Sequence, residues 1–233
     1  MKKVLLLMIL FCLPVCMSAQ IERDFLPVEW KTIAKKVKKD PEYVKGLVAR
    51  LAADEFDPSL TFPDCILAFY GQSFLTNDSE ETMVMNLYNL RNEGKTEEGL
   101  AAAKKILDIN PLNLDALMTA GMMVLAMAAD TTTQWKDVTV EAAEPYLERA
   151  RRIFETIAMT GDGSAAHPFY VTKVSDEYNL MRFYLNLWKY KKQTATECCD
   201  IITLDGTSEQ YKQPEIYFEI TRVYELEHLK LFK

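Results

Sequence analysis

Histidine is nearly absent from this chain. His167 and His228 are the only two in 233 residues, and neither stands at the Cys, His or carboxylate spacing of a zinc site. No metal site is signalled and no cofactor is expected. Cysteine is sparse too: with Cys12 and Cys16 in the apolar start, Cys65, Cys198 and Cys199 are left, an odd number that cannot all pair within one molecule. Buried free thiols are the expected state. A bond from Cys65 to one of the pair stays open, and a bond between neighbours Cys198 and Cys199 is expected to be strained. Among only eight glycines, Gly161-Asp162-Gly163 lacks the spacing and the preceding strand of a phosphate-binding loop, and it reads as a flexible exit from a helix. No apolar run beyond the first residues approaches the ~20 residues of a membrane span. Basic residues are outnumbered, 27 Lys and Arg against 34 Asp and Glu, and residues 51–166 alone carry a net charge of −11. Such a surface repels phosphate backbones and anionic lipid, so nucleic acid is not an expected partner.

What is present begins with Lys2 and Lys3, an apolar run over residues 4–15, and Met17-Ser18-Ala19 before a plausible cut. That is the pattern of a secretory signal peptide, residues 1–19, with a periplasmic or extracellular product. Val15 is too bulky for a lipoprotein box, so lipidation of Cys16 is not expected. Without its leader the chain would carry 25 basic and 34 acidic groups, a net charge of −9. The 49% apolar content over some 214 residues is enough to bury a core.

Trp30, Ile33, Ala34 and Val37 share one helical face while lysines crowd the other, a basic amphipathic helix best read as a solvated face. Asp40-Pro41 starts a second helix to about Ala53. Thr61 with Asp64 forms a capping box for a third, read as stopping at Gly71. Over residues 83–128 the spacing changes scale. Gly94 breaks one amphipathic helix, Leu100, Ala103, Ile106 and Leu107 stripe the next, and Pro111 ends it. Leu114, Leu117, Ala120, Gly121 and Val124 start a second pair. Its partner comes late, from about Ala143 after a polar insert over residues 130–137. These matches resemble tetratricopeptide repeats, without the Trp or Tyr that opens the first helix of that motif.

After Gly163 the period changes. Phe169 and Val171 alternate like a strand, Ser175 caps a helix through about Trp188, residues 194–204 alternate again, Asp205-Gly206 turns the chain, and residues 216–220 are β-rich. The expected fold is α+β: a helical repeat-like layer over residues 20–160, then a small antiparallel sheet packed with one helix over residues 161–233. Adjacent Asp176 and Glu177 point about 100° apart on a helix, so they read as charges at its N-terminus and not as a catalytic pair.

The order of Ser59-Leu60-Thr61, Phe69-Tyr70-Gly71, Asn110-Pro111, the loop at 161–163, Pro168-Phe169-Tyr170-Val171, Asp176-Glu177-Tyr178, Cys199-Asp200 and Tyr217-Phe218 resembles domain-of-unknown-function family 4919, secreted proteins of Bacteroidetes. The similarity spans roughly residues 27–222. It implies a compartment and an architecture and carries over no catalytic residue.

The expected function is that of a secreted interaction protein whose groove binds a peptide, a partner protein or an envelope component. Candidate groove residues are Asn86, Tyr88 and Asn89 from the first helix of one pair and Met118 and Met122 from the next. One alternative is a hydrolase of envelope or glycan material, with a cleft between helices and sheet; the other is a structural subunit of an envelope complex. No catalytic residue is assigned. An enzyme would need Asp176, a histidine and Cys65 gathered in one cleft.

Overall fold

The structure, a computed structural model, describes residues 25–130 and 135–231. The leader expected over residues 1–19, with Cys16, lies outside the described residues, as do residues 131–134 of the polar insert. Among the described residues the order is α1 (Trp30–Lys39), α2 (Pro41–Leu51), α3 (Phe62–Thr76), α4 (Glu81–Asn92), α5 (Thr96–Ile109), α6 (Leu114–Ala129), a 3-10 turn (Val140–Ala143) and α7 (Glu144–Ala158). Then come β1 (Phe169–Tyr170), α8 (Val174–Asn179), a π turn (Leu180–Tyr184), β2 (Tyr190–Ala195), β3 (Cys199–Leu204), β4 (Glu215–Glu219) and α9 (Thr221–Leu231). The class is α+β with the helices first.

The starts of α2 and α3 follow from local chemistry. Asp40 Oδ1 accepts the Tyr43 N–H at 3.1 Å ahead of Pro41, and Thr61 and Asp64 bond reciprocally as a capping box. On α1 Ile33 and Val37 are buried and the lysines lie outside. Every residue from Cys65 to Ser73 is buried, so α3 is covered all round, and it packs against α1, α2 and α7. It does not stop at Gly71 as the sequence reading has it. A Cβ there would lie 2.8 Å from Val44 Cγ1, so this glycine permits close packing of α2 on α3. The helix ends instead at Asn77, left-handed at φ 45°.

Beyond α3, α5 packs against α4 and α6, and α6 against α7. The small residues placed at the α6 contact serve that purpose: a Cβ on Gly121 would meet Leu147 Cδ2 at 2.5 Å. Arg152 of α7 is buried and donates to the carbonyls of Leu51 (3.0 Å) and Ala53 (2.6 Å), placing a cation at the C-terminal end of α2.

The sheet has the order β1-β4-β3-β2 and is mixed, not antiparallel throughout, because β1 runs parallel to β4 with Phe169 opposite Phe218. The alternation read over residues 194–204 belongs to a hairpin, β2 and β3, whose turn holds Cys198. Period two puts Asp200, Ile202 and Leu204 on the inner face with Ile216 and Phe218. On the edge strand β2, Lys191 and Lys192 are exposed and the register shifts between Tyr190 and Lys192, two devices that keep an open edge from pairing with another chain. The helix expected from Ser175 to about Trp188 is only α8 plus the π turn. The glycine loop is pinned as well. A Cβ on Gly161 would strike the carbonyl oxygens of His167 and Pro168 at 2.3 and 2.4 Å, and the Gly163 carbonyl accepts the Tyr217 N–H (2.9 Å) and the Tyr211 hydroxyl (2.9 Å).

The charge-rich last segment forms α9, which the sequence reading leaves without structure. Arg222, 3% exposed, docks it: its guanidinium donates to Ser73 O (2.7 Å), Ser73 Oγ (3.1 Å) and Asn77 Oδ1 (2.9 Å), pairs with Glu225 (3.0 Å) and lies 3.7 Å over the Phe74 ring. The charge again sits at a helix C-terminus, that of α3. Arg222→Ala is expected to cost about 2–4 kcal/mol in urea unfolding, and hydrogen exchange should quicken over residues 221–231 first. Unchanged exchange there would refute this account of the docking.

Candidate functional site

Three elements meet where the first turn of α8 enters the helical layer. Asp115, in the first turn of α6, is 6% exposed; it accepts the Ser175 hydroxyl at 2.6 Å and the Asn179 amide at 2.9 Å. Ser175 is therefore a tie between layers and not the helix cap of the sequence reading. Asp176 takes the capping role, its Oδ2 accepting from Thr172 N (3.1 Å), Thr172 Oγ1 (2.8 Å) and Lys173 N (3.1 Å).

Around this junction runs an open cleft with two recesses that share Tyr88, Asp115 and Ser175. One recess, about 250 Å³, lies among Val84 and Met85 of α4, Val174 of α8 and Val223, Leu226 and Lys230 of α9. The other, about 340 Å³, is lined by Tyr88, Arg91, Tyr178, Asn179, Arg182 and Tyr190. Arg91 stacks over the Tyr88 ring at 5.2 Å and Arg182 over Tyr178 at 5.5 Å. Among the described residues neither arginine makes an ion pair with a carboxylate. Burial and the nearby Asp115 carboxylate raise the Tyr88 hydroxyl well above its ordinary range, so it stays protonated and able to donate.

The wall of the first recess is held by charge. Lys173 Nζ lies 2.5 Å from Asp78 Oδ1 and 3.0 Å from Glu80 Oε1, and Lys230 lies 2.9 Å from Asp78 and 2.7 Å from Glu81. Burial disfavours ionised Asp78 and Glu80, but Lys173, joined at Asp78 by Lys230 and at Glu80 by the Asn110 amide and that residue's own backbone N–H, holds both below the usual carboxylate range. Behind the second recess, Glu177 is fully buried and both of its oxygens lack a hydrogen-bond donor, as does Asp200 Oδ1. Burial, then the Asp200 charge, pushes Glu177 up to about 9. A neutral Glu177 can donate its own proton to Asp200, satisfying an oxygen on each. Asp200 Oδ2 accepts the Gln193 amide, and Gln193 accepts the Tyr178 hydroxyl, which links this buried pair to the cleft wall. Glu177 is thus a core acid, not the second surface charge at a helix start that the sequence reading makes it.

Of the five candidate groove residues, Tyr88 lines both recesses. Asn86 and Asn89 are exposed on α4, Met122 is half-buried, and Met118, 4% exposed, is part of the core. The five are not brought together in one site. Arg91, Arg182, Tyr178 and Tyr190 were missed by the sequence reading. Arg91 could have been found by extending the α4 face from Tyr88 by one turn; the others needed the position of α8. Cys65 is buried in α3, His167 is exposed with its ring 5.1 Å from Phe25, and Asp176 borders a small cavity of about 10 Å³ that adjoins the first recess at Asp78, Thr172, Lys173 and Leu226. The three are not gathered in this cleft. Among the described residues no group of three or more His, Cys, Asp or Glu is placed to hold a metal ion, and no helix is long and apolar enough to cross a membrane.

No curated protein and no solved structure gives a significant match to the chain. A family model covers residues 31–228, which takes in α1 to α9 and both recesses almost whole, and by it the chain belongs to the family described as Domain of unknown function (DUF4919).

Proposed function

We propose that the chain is an exported interaction protein that holds an extended segment of a peptide, a partner protein or an envelope component in the cleft between α4 and the α8, β2 and α9 side. The observation that supports this reading is the continuity of the two recesses through Tyr88, Asp115 and Ser175, an open channel with an apolar end and an aromatic, cationic end. Tyr88 at the junction is rigid, amphipathic and a hydrogen-bond donor, the residue type that carries binding energy disproportionate to its area. Asp115 is engaged by Ser175 and Asn179, which suits a fixed wall better than acid/base work.

The test places a photoreactive side chain at Met85, 56% exposed and lining the cleft, and in a second protein at Lys104, exposed on α5 away from it. Crosslinking in native extract is expected to give a discrete adduct from position 85 that position 104 lacks, and Tyr88→Ala should reduce its yield about tenfold. Identical adducts from both positions, or none from position 85, would count against the cleft as the binding surface.

A further inference from the structure

Cys198, in the turn of the β2–β3 hairpin, and Cys199, the first residue of β3, hold their sulfurs 3.4 Å apart. Cys198 is exposed, Cys199 is half-buried and neither is in a disulfide. The turn that presents them is fixed. Thr196 N and Oγ1 donate to the Cys199 carbonyl (2.8 and 2.9 Å), and Thr196 Oγ1 accepts the Cys199 N–H (3.0 Å). It is also hung on α9: the Cys198 carbonyl accepts the Ile220 N–H (3.0 Å) and the Thr196 carbonyl accepts the Tyr224 hydroxyl (3.0 Å). Cys65, by contrast, is withheld in the core.

We propose that Cys198 and Cys199 form a dithiol modification site that exchanges with disulfide-bearing oxidants and closes into a ring between the two neighbouring residues. The Cys198 thiolate attacks one sulfur of the oxidant, forming a mixed disulfide and expelling the first thiolate. Cys199, its proton lost to solvent, then attacks the Cys198 sulfur and expels the second. Two chain thiols give up two electrons and two protons, and the oxidant's disulfide becomes two thiols. Burial, then the adjacent Cys198 thiol, pushes Cys199 up to about 12, so the first attack falls to the exposed Cys198. Neighbouring Cα atoms stand about 3.8 Å apart, closer than the ~4.4 Å lower limit of relaxed disulfides, so the ring is strained and easily reduced. That is the property of an exchangeable bond and not of a structural one. Ring closure also turns the Cys198–Cys199 peptide and with it the carbonyl that Ile220 uses, which loosens the start of α9.

The experiment treats the reduced full chain, in a C12S/C16S background, with excess oxidised glutathione at mildly alkaline pH and follows intact mass and peptide maps. The chain is expected to become lighter by two hydrogens, retain no glutathione and map to a 198–199 ring, with hydrogen exchange at residues 220–224 quickened. C199S should stop at one glutathione on Cys198 and keep it at least about tenfold longer than the parent. C198S should react at least about tenfold more slowly. A parent chain that stays unreacted, keeps glutathione as stably as C199S, or maps to a bond with Cys65 or a second chain overturns the proposal. Phenylarsine oxide, which bridges two close thiols with loss of water, gives a check free of oxidants. One molecule retained through a monothiol wash supports the pair as a dithiol, and none retained overturns it.

Discussion

Lys173→Met is expected to lower the unfolding free energy in urea at pH 7 by about 3–5 kcal/mol, the range for stranding a buried charge by removing its partner. The Lys173 side chain is 18% exposed and stands between two acids that are more buried still, Asp78 at 7% and Glu80 at 0%. Without it Asp78 keeps Lys230, but Glu80 is left among the described residues with no cation, held by the amides of Asn110 (2.6 Å) and Asn113 (3.5 Å) and by its own backbone N–H. Adding Glu80→Gln to Lys173→Met should restore at least about 1 kcal/mol, because the stranded charge is then gone. A loss below about 1 kcal/mol for the single variant would mean that water reaches these acids readily. The sign on acidification follows from the depressed values of Asp78 and Glu80. Their stabilisation is present above their unfolded values near pH 4 and is lost as pH falls through the lower folded ones.

Glu177→Gln should have the opposite relation to pH. In the fold the Glu177 carboxyl is pushed up to about 9, whereas in the unfolded chain it ionises near 4.5. Between those values the native state binds the extra proton, so its contribution is full below about pH 4.5 and is lost as pH rises towards about 9. Asp176, pushed up to about 6 by burial and then by the Asp115 charge, adds a shorter decline beginning near 3.8. The parent is therefore expected to be less stable at pH 8 than at pH 5. The glutamine variant should be flatter over that interval and, at pH 8, more stable by about 1–3 kcal/mol, since its amide can donate to Asp200 at any pH. Parallel slopes for the two proteins in urea titrations at pH 5 and 8 would show that Glu177 does not carry the titration.

The helical layer was largely legible because helix signals are local. Asp40-Pro41, Thr61 with Asp64, Gly94 and Pro111 each act within one turn of where they stand, and each marks a real boundary. Gly71 misled for a related reason: glycine at a helix end and glycine at a helix contact look alike until Val44 is placed against it. The sheet half was less legible because its register depends on partners far along the chain. Nothing local distinguishes β1 parallel to β4 from an antiparallel pair, and the π turn after α8 interrupts a stripe that reads as one helix. The cleft was the least legible part. Tyr88 could be nominated from α4 alone, but its neighbours Tyr178 and Arg182 arrive with α8, whose position is set by Asp115, Ser175 and Asn179. Glu177 shows the limit most plainly. A pair of acids after Ser175 fits a helix start, and only the inward alternation of Asp200 with Ile202 and Leu204 shows that one of them faces another acid inside the core.

The central helix α3 is sealed from both ends of the chain. Trp30 stacks edge-on against Tyr70 at mid-helix, 5.4 Å away, while its indole N–H reaches Glu219, 189 residues away, and Arg222 closes the C-terminal end of the same helix across 149 residues. A ribosome releasing this chain sets α1 and α2 beside α3 early but leaves open the flank that α7 covers and the C-terminal end that Arg222 closes, and the loop closures that complete the cover come last. Nascent chains halted before residue 219 should remain open and protease-sensitive around the C-terminal end of α3, a partly covered state that only the last fifteen residues lock.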